Sequence, residues 1–128
     1  MKTTLELSIL LGFLFHLIGD YVTQNHWLAI NKTKRTFHAL LHATIYSIPF
    51  VFIVSGLYPF LVIIITHFFI DRYRLAQYWI KLVNWNWTSL NHGFPNDTPP
   101  WLSTWLLFII DNIFHITINT WAIWYFYE

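Results

Sequence analysis

The amino-acid sequence predicts an all-α, polytopic membrane protein: one membrane domain, residues 1–128, built as a four-transmembrane-helix bundle. Three observations lead to this prediction. The chain is 56% hydrophobic and 10% charged, whereas about a quarter of the residues of a soluble domain are charged. Its 128 residues are enough for one domain but not for two. Four apolar stretches reach the length of about 20 helical residues that crosses a bilayer, and they cover residues 5–24, 37–55, 59–80 and 101–127.

The ends of these stretches carry recognisable signals. The first stretch follows a single lysine, as in a signal peptide, but no small-residue cleavage pattern follows it. The run continues through His16 and Asp20, so we expect a retained membrane span. The second stretch ends at SGLYP, where Gly56 and Pro59 predict a tight turn into the third. The fourth follows NDTPP, residues 96–100, which is typical of a helix start.

Positive charges predict the orientation of the chain. They cluster after the first stretch and at the end of the third: Lys32, Lys34, Arg35, Arg72, Arg74 and Lys81. Because loops rich in lysine and arginine stay in the cytoplasm, we expect a protein of the cytoplasmic (inner) membrane with both termini outside. Tryptophans gather at the same end, as in an aromatic belt at the lipid headgroups: Trp79, Trp85, Trp87, Trp101 and Trp105.

Histidine and aspartate recur in pairs inside the apolar stretches. Each pair is spaced i, i+4, which places both side chains on one face of a helix, one turn apart. In four antiparallel helices the pairs would lie in one layer, on the cytoplasmic side of the membrane midplane. The pairs, one in each stretch, are His16 and Asp20, His38 and His42, His67 and Asp71, and Asp111 and His115.

These pairs predict a metal site. An aspartate at the centre of a membrane helix costs about 2.5–3.5 kcal/mol, and the interiors of the stretches contain no lysine to compensate it. A divalent transition metal supplies the charge and prefers neutral imidazoles with ionised carboxylates. We therefore predict that all eight residues serve one or two ions, with zinc expected and manganese or iron as alternatives. Two ions would share a bridging aspartate, and Asp20 and Asp111 are the expected catalytic carboxylates. Gln24, Tyr46 and Asn119 extend the same helix faces by one turn and would orient ligands or bind substrate.

The segment HLIGDYVTQNHWLAINK resembles the signature of a family of small prokaryotic and phage membrane proteins, domain of unknown function 3307. HALLH, HFFIDRYRLAQYWI and IIDNIFHITIN are also similar to that family, and specifically to its phage-borne members. A looser similarity connects the family to membrane proteins labelled metal-dependent hydrolases. The signature residues present are His16, Asp20, Tyr21, Gln24, Trp27, Leu28, Ala29 and Lys32. The resemblance implies a membrane protein and supports a functional set made of His16, Asp20, His42, His67, Asp71, Asp111 and His115.

The predicted function is that of a metal-dependent hydrolase acting on a lipid-linked or phosphoester substrate, because a bound metal lowers the pKa of water toward about 7. Transport of a metal ion or a proton through the buried groups is one alternative. A metal-stapled phage protein that binds and interferes with a host partner is another, and a haem or di-iron redox site is a third. We also expect contact with membrane lipid and allow for a homo-oligomer. The net charge of +1 and the lack of a basic patch give no indication of nucleic acid, and the lack of cysteine excludes thiol chemistry.

Overall fold

Residues 3–127 are described by a computed structural model, in which the chain is built from α-helices. Two of the helices continue into a short turn of another helical type. In order, the elements are α1 (Leu5–Leu17) with a π-helical turn (Ile18–Val22), α2 (His26–Asn31), α3 (Thr36–Ser47) with a 3₁₀ turn (Ile48–Phe52), α4 (Leu57–Tyr73), α5 (Leu75–Val83) and α6 (Pro100–Tyr125). No β-strand occurs between residues 3 and 127, so the predicted all-α class is confirmed.

The four longest helices enclose a common interior. Helix α1 packs against α6, α6 against α4, and α4 against α3, while the π-helical end of α1 contacts α3 and closes the ring. One part of the interior is an apolar cluster, made of Tyr46, Phe50, Ile53, Ile63, Ala122 and Ile123. The other part holds the buried histidines and aspartates.

Within residues 3–127, two helical segments are long and apolar enough to cross a membrane. They are Leu5–Val22 and Pro100–Tyr125, with mean hydropathies of 1.6 and 1.4, and they correspond to the first and fourth predicted spans. The second predicted span forms the shorter apolar segment Thr36–Phe52. The third, residues 59–80, is not one continuous helix, since α4 ends at Tyr73 and α5 begins at Leu75.

Arg74 separates α4 from α5. Its backbone is left-handed, with φ 53° and ψ 52°, which costs about 1–2 kcal/mol for a residue that carries a Cβ. Its N–H is directed at the carbonyls of Ile70 and Asp71 and closes the last turn of α4. The sequence did not predict this break, because arginine is a good helix former and neither glycine nor proline stands nearby. As a result α5 packs against α6.

The predicted turn and helix start are present. Gly56 has φ +90°, a conformation that glycine adopts without the steric penalty of a side chain. Helix α4 begins directly afterwards, so Pro59 lies in its first turn, where a missing N–H is tolerated. Helix α6 begins at Pro100, the last residue of the NDTPP segment that predicts it.

Many large apolar side chains are exposed, while several polar side chains are buried. Val22 is 76% exposed, Phe37 67% and Trp101 66%. By contrast, Ser8 and Ser47 are completely buried. A protein folding in water normally buries most of its large apolar groups, so this amount of exposed apolar surface is more than expected for a surface that faces only water.

Candidate metal centre

Six of the eight predicted ligands meet in one place, which we call the polar cluster: Asp20, His42, His67, Asp71, Asp111 and His115. Asp20 lies on the π-helical turn after α1, His42 on α3, and the last two pairs on α4 and α6. Five of the six are buried, and Asp111 is half-buried. Of the four predicted i, i+4 pairs, those on α4 and α6 belong to the polar cluster whole, and the other two contribute one residue each.

Four members of the polar cluster form a closed site: Asp20, His42, His67 and Asp71. His42 Nε2 lies 3.0 Å from Asp20 Oδ1 and 3.2 Å from Asp71 Oδ2. His67 Nε2 lies 3.5 Å and 3.1 Å from the same two oxygens. Ligand atoms at about 2.0–2.1 Å from a tetrahedral zinc ion are about 3.3–3.4 Å from one another, so these four imidazole–carboxylate separations are compatible with one ion between the four side chains.

The hydrogen bonding of His67 supports the same conclusion. The side chain is 1% exposed, yet neither of its ring nitrogens has a hydrogen-bond partner within residues 3–127. Buried polar atoms are normally paired, because an unpaired one loses its hydration without compensation. Since Nε2 stands close to two carboxylate oxygens without hydrogen-bond geometry, its lone pair and theirs can converge on a cation.

Three members of the polar cluster form an open site: Asp71, Asp111 and His115. His115 Nε2 lies 3.4 Å from Asp71 Oδ1 and 3.5 Å from Asp111 Oδ2. Asp71 thus belongs to both sites, with Oδ2 in the closed site and Oδ1 in the open one. The Asp111 side chain is 33% exposed, so this site reaches the protein surface.

His16 belongs to neither site but contacts the polar cluster, since its Nδ1 lies 3.3 Å from Asp20 Oδ2. Its Nε2 donates to Asn112 Oδ1 over 2.7 Å, so Nδ1 of the neutral ring accepts a hydrogen bond from the Tyr46 hydroxyl over 3.0 Å. The Asn119 amide in turn donates to that hydroxyl. Tyr46 and Asn119 therefore hydrogen-bond within this network, and their predicted roles toward ligands or substrate stay predictions. Asn112 is a member of the network that the sequence did not indicate.

The π-helical turn is kept close to α3 by a glycine. A Cβ on Gly19 would collide with the Tyr46 ring, and Tyr46 is completely buried. Turns of this type interrupt the regular helix and are frequent at functional sites. Here the turn carries Asp20, the residue after Gly19, into contact with His42 of α3.

His38 lies away from both sites. Its ring packs on Trp27, with the ring centroids 4.3 Å apart, and it belongs to neither group of converging ligand atoms. His38 shares a helix face with His42 but lies in the first turn of α3, next to α2. Its ring therefore packs toward α2 and not toward the two sites. The prediction that His38 serves a metal stays a prediction without geometric support.

Lys32 is a site residue that the sequence analysis missed. It follows α2 and extends its ammonium to 2.7 Å from Asp71 Oδ2 and 4.0 Å from Asp20 Oδ1. From the sequence, Lys32 is interpreted as a charge that sets the membrane orientation, and its place in the family signature is the signal for another role. The neighbouring Thr33 carbonyl accepts a hydrogen bond from Arg72 over 2.9 Å, which holds this loop against α4.

A cleft of about 220 Å³ leads from the surface to the polar cluster. It lies where the break between α4 and α5 faces α6. Asp71 and Asp111 stand at its inner end. Both basic and neutral polar side chains line it as well, among them Lys32, Arg74, Gln77 and Thr104. Of the two predicted catalytic carboxylates, Asp111 thus lines the cleft, whereas Asp20 is buried; their catalytic roles stay predictions.

The fold and the site define an all-α protein with a buried His/Asp cluster that could hold a metal ion. A family model described as "Protein of unknown function (DUF3307)" matches residues 8–127. The chain belongs to this family, which confirms the resemblance seen in its motifs. Neither the curated proteins nor the solved structures contain a match to the chain.

Proposed function

We propose that this protein is a membrane metalloprotein that hydrolyses a phosphoester or lipid-linked substrate. The resident ion would be divalent, with zinc expected and manganese or iron as alternatives. The observation that carries its metal-binding part is the closed site, where each of two imidazole nitrogens lies 3.0–3.5 Å from both of two carboxylate oxygens, close to the edge length of a zinc tetrahedron. Its ligands are Asp20, His42, His67 and Asp71.

The charge of the polar cluster supports a cation. Asp20, Asp71 and Asp111 together carry −3 when ionised, and Lys32 contributes +1, which leaves −2. One divalent ion neutralises that remainder. Uncompensated buried carboxylates would cost several kcal/mol each, so the ion would also stabilise the fold.

The surface of the protein supports a membrane location. Besides the two helical segments of spanning length, Thr36–Phe52 and α4 each have 17 residues, the lower limit of about 17–25 for a membrane helix. The exposed apolar side chains would face lipid, which requires no hydrophobic burial. In this arrangement four segments cross the inner membrane, and the loop that carries Lys32 faces the cytoplasm.

The cleft supports hydrolysis at that surface. A divalent metal held by the polar cluster would lower the pKa of a water molecule and withdraw electrons from the phosphorus. Water would add to phosphorus as the P–O bond to the leaving alcohol breaks. Asp111, at the inner end of the cleft, would accept the proton that water loses and pass it to the leaving oxygen. The products are then an alcohol and a phosphate.

The apolar cluster favours hydrolysis over transport. It fills the interior beyond Tyr46, on the side of the polar cluster away from the cleft. Phe50 and Ile63, at its centre, are completely buried. A carrier needs a polar path that reaches both membrane surfaces, and these side chains stand where such a path would continue.

The test is elemental analysis of the detergent-purified protein, prepared without chelator, alongside His67→Ala and His26→Ala. His26 is exposed and belongs to neither site, so it serves as the matched control. We expect a transition metal in the wild type and in His26→Ala, and its loss from His67→Ala. Folded wild-type protein without metal would overturn the proposal, and metal-loaded protein with no activity on phosphate esters or lipid phosphates would overturn its hydrolytic part.

A further inference from the structure

The open site has the arrangement that catalytic metal sites share. A structural zinc site has four protein ligands, whereas a catalytic site has three and leaves one position for water or substrate. The closed site has four protein ligands and is buried, while the open site has three, Asp71, Asp111 and His115. Two of these three residues line the cleft.

His115 indicates that the open site is built for a ligand. The side chain is 2% exposed, and its Nε2 has no hydrogen-bond partner within the described part of the chain. This nitrogen points between Asp71 Oδ1 and Asp111 Oδ2, at 3.4 Å and 3.5 Å. These separations are again close to the edge of about 3.3–3.4 Å of a zinc tetrahedron.

We propose that Asp71, Asp111 and His115 bind a second divalent ion, that Asp71 bridges the two ions through its two oxygens, and that the cleft receives a phosphate group. The inference rests on the proposed function, because it requires an ion in the closed site. Paired ions about 3.5–4 Å apart are a recurring device for stabilising the attacking and the leaving oxygen in phosphoryl transfer. Asp111 would bind the ion through Oδ2 and keep its other oxygen for the proton of the attacking water.

The charge of the loaded centre selects an anion. Two divalent ions carry +4 and the three carboxylates −3, which leaves +1 at the end of the cleft. Lys32 and Arg74 line the cleft and raise this to +3. With an ion in the closed site, the Lys32 ammonium is repelled from Asp71 and becomes free to meet a substrate oxygen. Gln77 and Thr104 add neutral hydrogen-bonding groups to the same walls.

The experiment counts ions in metal-free protein that is reloaded with excess Zn²⁺ and then freed of unbound metal. We expect two zinc ions per chain in the wild type and one in Asp111→Asn. Asp97→Asn makes the same chemical change at an exposed loop position and should retain both ions. Because Asp111 is only half-buried, its variant should fold, and His115→Ala provides a second variant with the same expected loss.

The outcomes separate this inference from the proposed function. One ion per chain in the wild type, or two in Asp111→Asn, overturns the second site and leaves the closed site intact. No zinc in any form of the protein overturns both proposals. A spectroscopic readout adds a test that a merely structural role would not pass: cobalt ions bridged by Asp71 should couple magnetically in the wild type, and Asp111→Asn should lose the coupling.

Two phosphate probes test the cleft in the cobalt-loaded protein. Inorganic phosphate that changes the cobalt spectrum of the wild type but not of Asp111→Asn supports a small soluble substrate. The second probe is phosphatidic acid in detergent micelles, with diacylglycerol as the uncharged control. If phosphatidic acid changes the spectrum and inorganic phosphate does not, the substrate is a lipid headgroup. Lys32→Met should bind whichever probe is effective at least tenfold more weakly than Lys34→Met does. If neither probe acts, the phosphate assignment is wrong.

Discussion

Replacing Lys32 by methionine should have opposite effects on the stability of the metal-free protein and on its affinity for metal. The ammonium lies 2.7 Å from Asp71 Oδ2, and the side chains of the pair are 15% and 3% exposed. Removing one partner of a buried ion pair costs about 3–5 kcal/mol, because the other charge remains buried without compensation. We therefore expect the metal-free variant to lose about 4 kcal/mol of unfolding free energy.

The loss should be much smaller when metal is bound. The ion then compensates the charge of Asp71. Removing the lysine should therefore cost no more unfolding free energy than breaking an exposed ion pair, about 1 kcal/mol or less. The difference of about 3 kcal/mol must reappear in metal binding, since the coupling between two ligands or charges is reciprocal. At 1.4 kcal/mol per tenfold, Lys32→Met should bind the metal about 100-fold more tightly than the wild type.

Two measurements check this prediction, with Lys34→Met as the control because Lys34 is an exposed neighbour in the same loop. Unfolding is followed by circular dichroism in detergent, with and without metal, and affinity is measured by competition with a chelating indicator. The control should match the wild type in both. If Lys32→Met binds metal more weakly than the wild type, Lys32 supports the ion instead of substituting for it, and the electrostatic reasoning is wrong.

Three further substitutions test the surroundings of the site. Gly19→Ala should lower stability by about 1–3 kcal/mol, the usual cost of overpacking, because its Cβ would collide with the Tyr46 ring; thermal unfolding measures the loss. Tyr46→Phe should cost about 1–3 kcal/mol, since His16 and Asn119 lose their shared hydroxyl partner in a buried place; an unchanged melting temperature would contradict this network. His38→Ala should leave the metal content unchanged in elemental analysis, and loss of metal would place His38 at the site after all.

Much of the candidate site could be predicted because it depends on helical periodicity. A spacing of four residues places two side chains on the same face whatever the rest of the fold does, so the pairs His67 with Asp71 and Asp111 with His115 were recognisable at once. The burial cost of carboxylates in apolar stretches then indicated a cation. The all-α class follows from the same pattern, and the family motifs add independent support.

Tertiary packing decided the parts that periodicity does not describe. Lys32 comes from a loop, and the distance its side chain spans depends on how that loop is held against α4 by Arg72. His38 shares the face of His42 but packs on Trp27, because α2 covers the start of α3. The break at Arg74 has no local signal and is stable only within its tertiary surroundings.

The division of roles between the two oxygens of Asp71 also required the tertiary structure. From the sequence one can tell that carboxylates and imidazoles share an interior, since periodic patterns determine which side chains are buried together. It does not tell which atom faces which neighbour, because that depends on side-chain rotamers and helix positions to within about 1 Å, a precision that comes only from the packing of the whole interior. That precision places Asp71 Oδ2 beside His42, His67 and Lys32, and Oδ1 beside His115.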